Sequence, residues 1–228
     1  MEDIAPALLE KLRAAFKKNM AADPRLPPLQ KKMKDGTATY PDAAAYAEIV
    51  GEALAKAFRE NISAADLPDG RMYYNIASRV VQPLLERDYA LVSGVAAQIQ
   101  QALNLAAGLR LKAQTPAVNQ DRVAGIINTL SSAEHYDDVA YLLDEPVITF
   151  SRTAVDEALQ KNVDFQGRAG LRPRVIRQAE YKCCEWCQKL EGTYDYPNVP
   201  QDVYRRHERC RCRLIFDPGN RATKTIWG

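Results

Sequence analysis

The sequence is short of several things, and each shortage narrows what the chain can be. Charge of one sign is missing: 31 Lys and Arg face 29 Asp and Glu, leaving +2. A balance that even gives no argument for bulk attraction to nucleic acid or an anionic membrane, so any basic footprint must be local. A long hydrocarbon-like run is missing too. The uncharged stretch 89–109 is long enough to span a bilayer, but Gln98, Gln100, Gln101 and Asn104 make its second half too polar for lipid, so it reads as an ordinary helix with no membrane segment. The first twenty residues, MEDIAPALLEKLRAAFKKNM, mix acids with hydrophobes and fit neither a signal peptide nor a transit peptide. G-x-x-x-x-G-K-[ST], G-x-S-x-G, G-x-G-x-x-G and H-E-x-x-H are all absent, so no phosphate cradle, nucleophile elbow or zincin helix is declared and the chain reads as non-catalytic. Histidine is scarce, with only His135 and His207.

What is present is the composition of a globular protein, with 46% apolar and 26% charged residues, enough to bury a core. Ile4, Leu8, Leu9, Leu12 and Phe16 recur at three- and four-residue steps and predict an amphipathic helix that the prolines of DPRLPP end. Pro41 and Asp42 open a second helix, which presents Tyr46, Ile49, Val50, Leu54 and Phe58 on one side and ends near Asn61. DLPDG marks a turn. The residues after it predict one long helix or two, with Pro83 as a kink or break. VAGIINTL, VAYLL and SRTAVDEALQKN predict further short helices, the last with Ser151 as its cap. After Asn162 the texture changes: Gly167, Gly170 and Pro173 punctuate the chain, and RVIRQAEYKCC, TYDY and RCRLIF predict short strands. The expectation is an α+β chain, with a helical body over 1–162 and a small β-rich unit over 163–228.

All five cysteines and His207 fall within CCEWCQKLEGTYDYPNVPQDVYRRHERCRC, residues 183–212. Cys184-x-x-Cys187 is followed, after nineteen intervening residues, by His207-x-x-Cys210 and then Cys212. Two short ligand pairs joined by a loop of this length suit a tetrahedral Zn²⁺, because each pair closes a tight knuckle and the loop brings the second across. Six candidate donors compete for four positions, with Cys183 the weakest, and the pattern leaves open which four bind. Buried thiols and disulfides are the alternatives. With enough protein donors to fill every position and no general-base motif, the zinc reads as structural. Strand alternation would place Cys210, Cys212, Leu214 and Phe216 on one face and Arg209, Arg211 and Arg213 on the other. Arg205 and Arg206 would extend this basic patch toward a phosphate backbone or an acidic partner. His135 reads as a surface residue. Trp186, Tyr194, Tyr196 and Tyr204 read as packing around the metal.

The stretch GRAGLRPRVIRQAEYKCCEWCQKLEGTYDYPNVPQDVYRRHERCRCRL resembles the C-terminal domain of tailed-phage minor head proteins, the MuF-like phage head morphogenesis family. The carriers are Cys184 and Cys187, the turn Leu190-Glu191-Gly192, and the terminal His207, Cys210 and Cys212. Glu208 stands where many members have proline, and Cys183 lies outside the pattern. The resemblance implies a minor virion component at the portal vertex or capsid interior, made in the bacterial host cytoplasm. It would act in head morphogenesis, and in DNA delivery, with portal or major capsid protein as partner and packaged DNA met through non-specific backbone contacts. The alternatives are a zinc-ribbon nucleic-acid-binding module and a phage-borne toxin or nuclease.

Overall fold

The computed structural model of the chain describes residues 3–207 and 209–219. Among them the class is α+β: long helices dominate, and a three-stranded antiparallel sheet lies near the C-terminal end. Helix α1 (Ala5–Ala22) buries Leu8, Leu12 and Phe16, the stripe its spacing predicts, and stops before the DPRLPP prolines. Helix α2 (Leu26–Lys34) restarts inside that proline-rich segment, since Pro27 and Pro28 sit in its first turn, where the missing N–H costs nothing. Helix α3 (Tyr40–Asn61) has Pro41 in its first turn, and Asp42 there accepts from the Thr39 backbone N–H at 2.9 Å.

Helix α4 (Tyr74–Ala106) runs unbroken through Pro83, where a kink or break is expected. Proline removes one ladder bond, but Val80, Val81, Leu84 and Leu85 around it are all fully buried, and their packing outweighs the loss. No helix among the described residues is long and apolar enough to cross a membrane. Helix α5 (Gln120–Ser132) is capped by Asn119, whose side chain accepts from the Arg122 N–H at 3.0 Å. VAYLL forms a 3₁₀ turn rather than a helix of its own. Helix α6 (Glu145–Arg168) begins six residues before Ser151, so that serine is not a cap; it lies mid-helix and buried. The helix also continues past Asn162, because Val163 and Gln166 are buried and the punctuation begins only at Gly167.

Three strands follow: β1 (Arg174–Gln178), β2 (Gly192–Asp195) and β3 (Arg213–Asp217), with a five-residue helix α7 (Glu185–Lys189) between the first two. Strand β1 is central, pairing Val175 with Tyr194 of β2 and with Phe216 of β3.

The chain divides into two compact units, and the dividing points fall within α2, α3, α4 and α6 and in the segment before α5. One unit comprises residues 3–28, 46–92 and 117–152, with Ile49, Val50, Leu54, Phe58 and Val147 among its buried side chains. The other comprises residues 29–45, 93–116 and 153–219 and contains the sheet. Its interior holds an amide chain that accounts for Gln100 and Asn104 in the polar half of 89–109, whereas Gln98 there is exposed and Gln101 half-buried. Tyr40 Oη donates to Gln100 Oε1 at 2.7 Å, Gln100 Nε2 donates to Asn104 Oδ1 at 2.7 Å, and Gln166 Nε2 donates to the same oxygen at 2.8 Å. Those polar residues are buried and bonded to one another rather than solvated.

Candidate metal centre

Local structure brings the two halves of the cysteine motif together. After β1 the backbone turns through Lys182, at φ 65°, and α7 begins directly after Cys184. C-x-x-C therefore straddles a helix start, with Cys184 at the cap position and Cys187 one turn in and fully buried. On the far side, the Gln201–Tyr204 turn leads to His207, and Arg209, at φ 59°, reverses the chain so that the Cys210 N–H bonds to the His207 carbonyl at 3.2 Å. Antiparallel pairing of β3 with β1 then holds this segment beside the first knuckle.

Cys184, Cys187 and His207 form one group able to hold a metal ion, and Cys187, Cys210 and Cys212 form another. Cys187 belongs to both. His207 Nε2 lies 3.2 Å from Cys184 Sγ and 3.1 Å from Cys187 Sγ, while Cys187 Sγ lies 3.7 Å from Cys210 Sγ. A disulfide needs about 2.05 Å; all five cysteines are free thiols. Cys187, Cys210 and Cys212 are buried as a cluster of their own, with Ala179 and Cys183 packed against it. The structure thus brings together all five of Cys184, Cys187, His207, Cys210 and Cys212, and leaves Cys183 on the flank.

The electrostatics of the sulfurs are uneven. The Cys187 backbone N–H lowers the pKa of the exposed Cys184 thiol. Burial pushes the Cys187 thiol far up, and its bond to Cys212 adds to this. At Cys212 burial also acts upward, but the Glu180 backbone N–H and the Cys187 thiol outweigh it and the net shift is downward. Without a cation, Cys184 and Cys212 are therefore shifted toward the thiolate, while Cys187 between them is shifted toward the thiol.

Burial alternates as expected from Cys210 to Phe216, although the paired strand begins only at Arg213. Arg209 and Arg213 are exposed, and Arg211 is half-buried. Arg205 is exposed and pairs with Asp202 at 2.9 Å. Arg206 does not belong to the surface patch. Its side chain is buried, pairs with Asp156 on α6, and donates to the Cys212 carbonyl at 2.7 Å. A guanidinium neutralised and enclosed in this way has no donor to offer a phosphate. His135 is exposed. Tyr204 is buried, and Trp186, 37% exposed, meets the His207 ring edge-on at 5.8 Å.

Sequence reasoning misses two residues of the site, Asp156 and Arg177. Arg177 is 2% exposed. Its Nη2 lies 3.7 Å from Cys187 Sγ and 3.8 Å from Cys210 Sγ, and its Nη1 donates to the Val203 and Arg205 carbonyls. The signal is present in RVIRQ, where two-residue alternation puts Arg177 on the same inward face as Val175.

No family model, curated protein or solved structure matches this chain.

Proposed function

We propose that the C-terminal cysteine unit binds one structural zinc ion, and that the chain is a non-catalytic minor component of a tailed-phage head, acting near the portal. The observation that carries the metal reading is the geometry around Cys187 Sγ. Zinc bonds of about 2.3 Å to sulfur and 2.0–2.1 Å to nitrogen set the edges of a tetrahedron at about 3.7 Å between sulfurs and 3.5 Å between sulfur and nitrogen. The distance of 3.7 Å to Cys210 Sγ matches the first edge and that of 3.1 Å to His207 Nε2 is somewhat shorter than the second; both exclude a disulfide, and an imidazole nitrogen set among the sulfurs is a donor that packing of thiols alone does not require. Buried sulfurs this close cannot all ionise unless a cation lies among them. Zinc suits a mixed sulfur and imidazole set.

A staple has a physical purpose here. Three strands of four or five residues enclose little core, and ion binding contributes folding free energy that the sheet lacks. The phage-head role is supported by the residue pattern of 167–214 and its similarity to the MuF-like family. Arg205, Arg209, Arg211 and Arg213 would meet packaged DNA through its backbone. Two experiments test the proposal. Metal analysis of the purified chain is expected to give one zinc per molecule. Co-sedimentation with assembled capsids carrying portal is expected to retain the chain at few copies per particle, and its absence from the pellet would remove the head assignment while leaving the metal site standing.

A further inference from the structure

We infer that Arg177 is the built-in counter-cation of the cysteine site: its guanidinium donates to the metal-bound sulfurs of Cys187 and Cys210 and balances the negative charge that the thiolate ligands leave on the ion. The inference rests on the metal reading above and extends it to a residue that is not a ligand. A guanidinium is always charged, and a charge this well buried persists only where it is paired. Among the described residues no carboxylate lies within 4.0 Å of Arg177 (the pairs found there involve other cations), so aspartate and glutamate do not fill that role. Its neighbours are two carbonyls, the two sulfurs, and the Trp186 ring at 5.3 Å. The carbonyls fix the plane of the fork, and the arm that remains points at the sulfurs. Thiols would leave the charge unbalanced; metal-bound cysteine is deprotonated and supplies it.

Charge counting points to a ligand set as well. A divalent ion with three thiolates and a neutral imidazole carries one negative charge, which Arg177 cancels; four thiolates would leave one uncancelled. Arg206 does not enter the sum, because Asp156 already neutralises it. Position adds a second role. Arg177 stands on β1, touches Cys187 of the first knuckle and Cys210 of the second, and holds the carbonyls of the loop between them. One side chain therefore registers both halves of the site before the ion arrives.

The test uses the full-length chain and Co²⁺, whose sulfur-to-metal absorption reports ligation. Wild type is expected to bind one Co²⁺ per chain. Arg177→Met, which keeps an apolar stem and removes the charge, is expected to bind the same single ion at least about tenfold more weakly in chelator competition, the scale of a lost outer-shell partner. Arg177→Lys is expected to lie between the two. A readout independent of any variant is hydrogen exchange of the Arg177 guanidinium in the cadmium-loaded wild type, measured by NMR; slow exchange that quickens when the metal is stripped is the expected result. Unchanged affinity in Arg177→Met, affinity no better in Arg177→Lys than in Arg177→Met, or fast guanidinium exchange in the loaded protein would each overturn the counter-cation and leave the metal site intact. Failure of the wild type to bind Co²⁺ would overturn the metal reading itself. Should Arg177→Met not fold, the exchange measurement and Arg177→Lys decide.

Discussion

Arg206 Nη2 lies 2.8 Å from Asp156 Oδ1, and both side chains are almost wholly withdrawn from water, at 2% and 3% exposure. The pair joins α6 to the residue just before His207, and a third Arg206 bond reaches the Cys212 carbonyl. Removing one partner of such a pair leaves the other charge enclosed and unmatched, which typically costs about 3–5 kcal/mol. Asp156→Ala is therefore expected to lower the urea midpoint sharply. Asp156→Leu combined with Arg206→Met should recover most of the loss, since replacing both charges by apolar groups leaves nothing stranded. A double variant as unstable as the single one would show that the charges themselves, and not merely their pairing, hold the segment.

Asp88 predicts a pH dependence. Its carboxyl is fully buried on α4, and burial pushes its pKa up to about 8, with the Ser151 hydroxyl opposing the shift. Ser151 Oγ lies 2.8 Å from Asp88 Oδ1 and 2.9 Å from the Val147 carbonyl. One hydroxyl proton cannot serve two acceptors. A protonated Asp88 resolves this by donating to Ser151, which then donates to Val147. The folded state keeps this proton up to about pH 8, whereas the unfolded chain releases it near the ordinary carboxylate value of about 4. Between those values the unfolded state binds fewer protons, so this contribution is complete below about pH 4 and falls as pH rises, by at most about 1.4 kcal/mol per pH unit. Asp88→Asn, which keeps the shape and removes the titration, should flatten that part of the curve in urea melts at pH 5, 7 and 9. Parallel curves for the two proteins would exclude Asp88 as the source.

The amphipathic stripe of α1, the entry of α3 at Pro41 and the presence of three strands are legible in the sequence because each is a local matter of side-chain period, a cap, or punctuation by glycine and proline; the strand bounds are not, since β1 stops at Gln178 rather than running on through AEYKCC and β3 starts at Arg213 rather than Arg211. Ser151 and Pro83 mislead for the opposite reason. A serine before a helical pattern looks like a cap, and a proline looks like a break, until tertiary packing shows the helix passing through both. In the candidate metal centre the grouping of Cys184, Cys187, His207, Cys210 and Cys212 is legible from their spacing, since short paired donors joined by a loop are drawn together when the loop closes. Arg206 and Asp156 are not. They lie 50 residues apart, and nothing in RRHERCRC distinguishes the arginine that turns inward from those that stay out. Arg177 lies between: its strand alternation marks it as inward, but only the fold shows that sulfur awaits it.

Gly51 marks a close approach of α3 to α6. A Cβ built there would stand 2.7 Å from the Ile148 Cα and 2.7 Å from Ser151 Oγ. Backbone cannot yield as a flexible side chain does, so Gly51→Ala is expected to destabilise the protein by about 1–3 kcal/mol through overpacking, despite alanine's better helix propensity. Thermal melting checks it: a variant as stable as wild type would mean that the two helices separate at no cost.

If Arg205, Arg209, Arg211 and Arg213 meet DNA through its phosphates, duplex affinity should fall with salt at a logarithmic slope of about −3 to −4 and show no sequence preference. Arg209→Ala should reduce that slope by about one. Fluorescence anisotropy across a salt series reads both quantities. A flat response would remove DNA from the list of partners, and a strong preference for one sequence would favour a base-reading module.

Cys187 separates the metal reading from its alternatives most sharply, because it is the common vertex of both ligand groups. A site built on it loses one donor whichever group binds the ion, whereas loss of Cys184 or Cys212 breaks only one of the two. Cys187→Ser is therefore expected to abolish zinc retention through gel filtration, and the loss of the ion's folding free energy should leave the sheet region open to protease. Cys183→Ser is the matched control. Its sulfur is half-buried against the cluster, it belongs to neither group, and burial holds its thiol above the usual range. It should keep one zinc per chain and wild-type protease resistance. Equal loss of zinc in both variants would place Cys183 among the ligands and redraw the site; full retention in Cys187→Ser would show that the sulfurs cluster for packing alone.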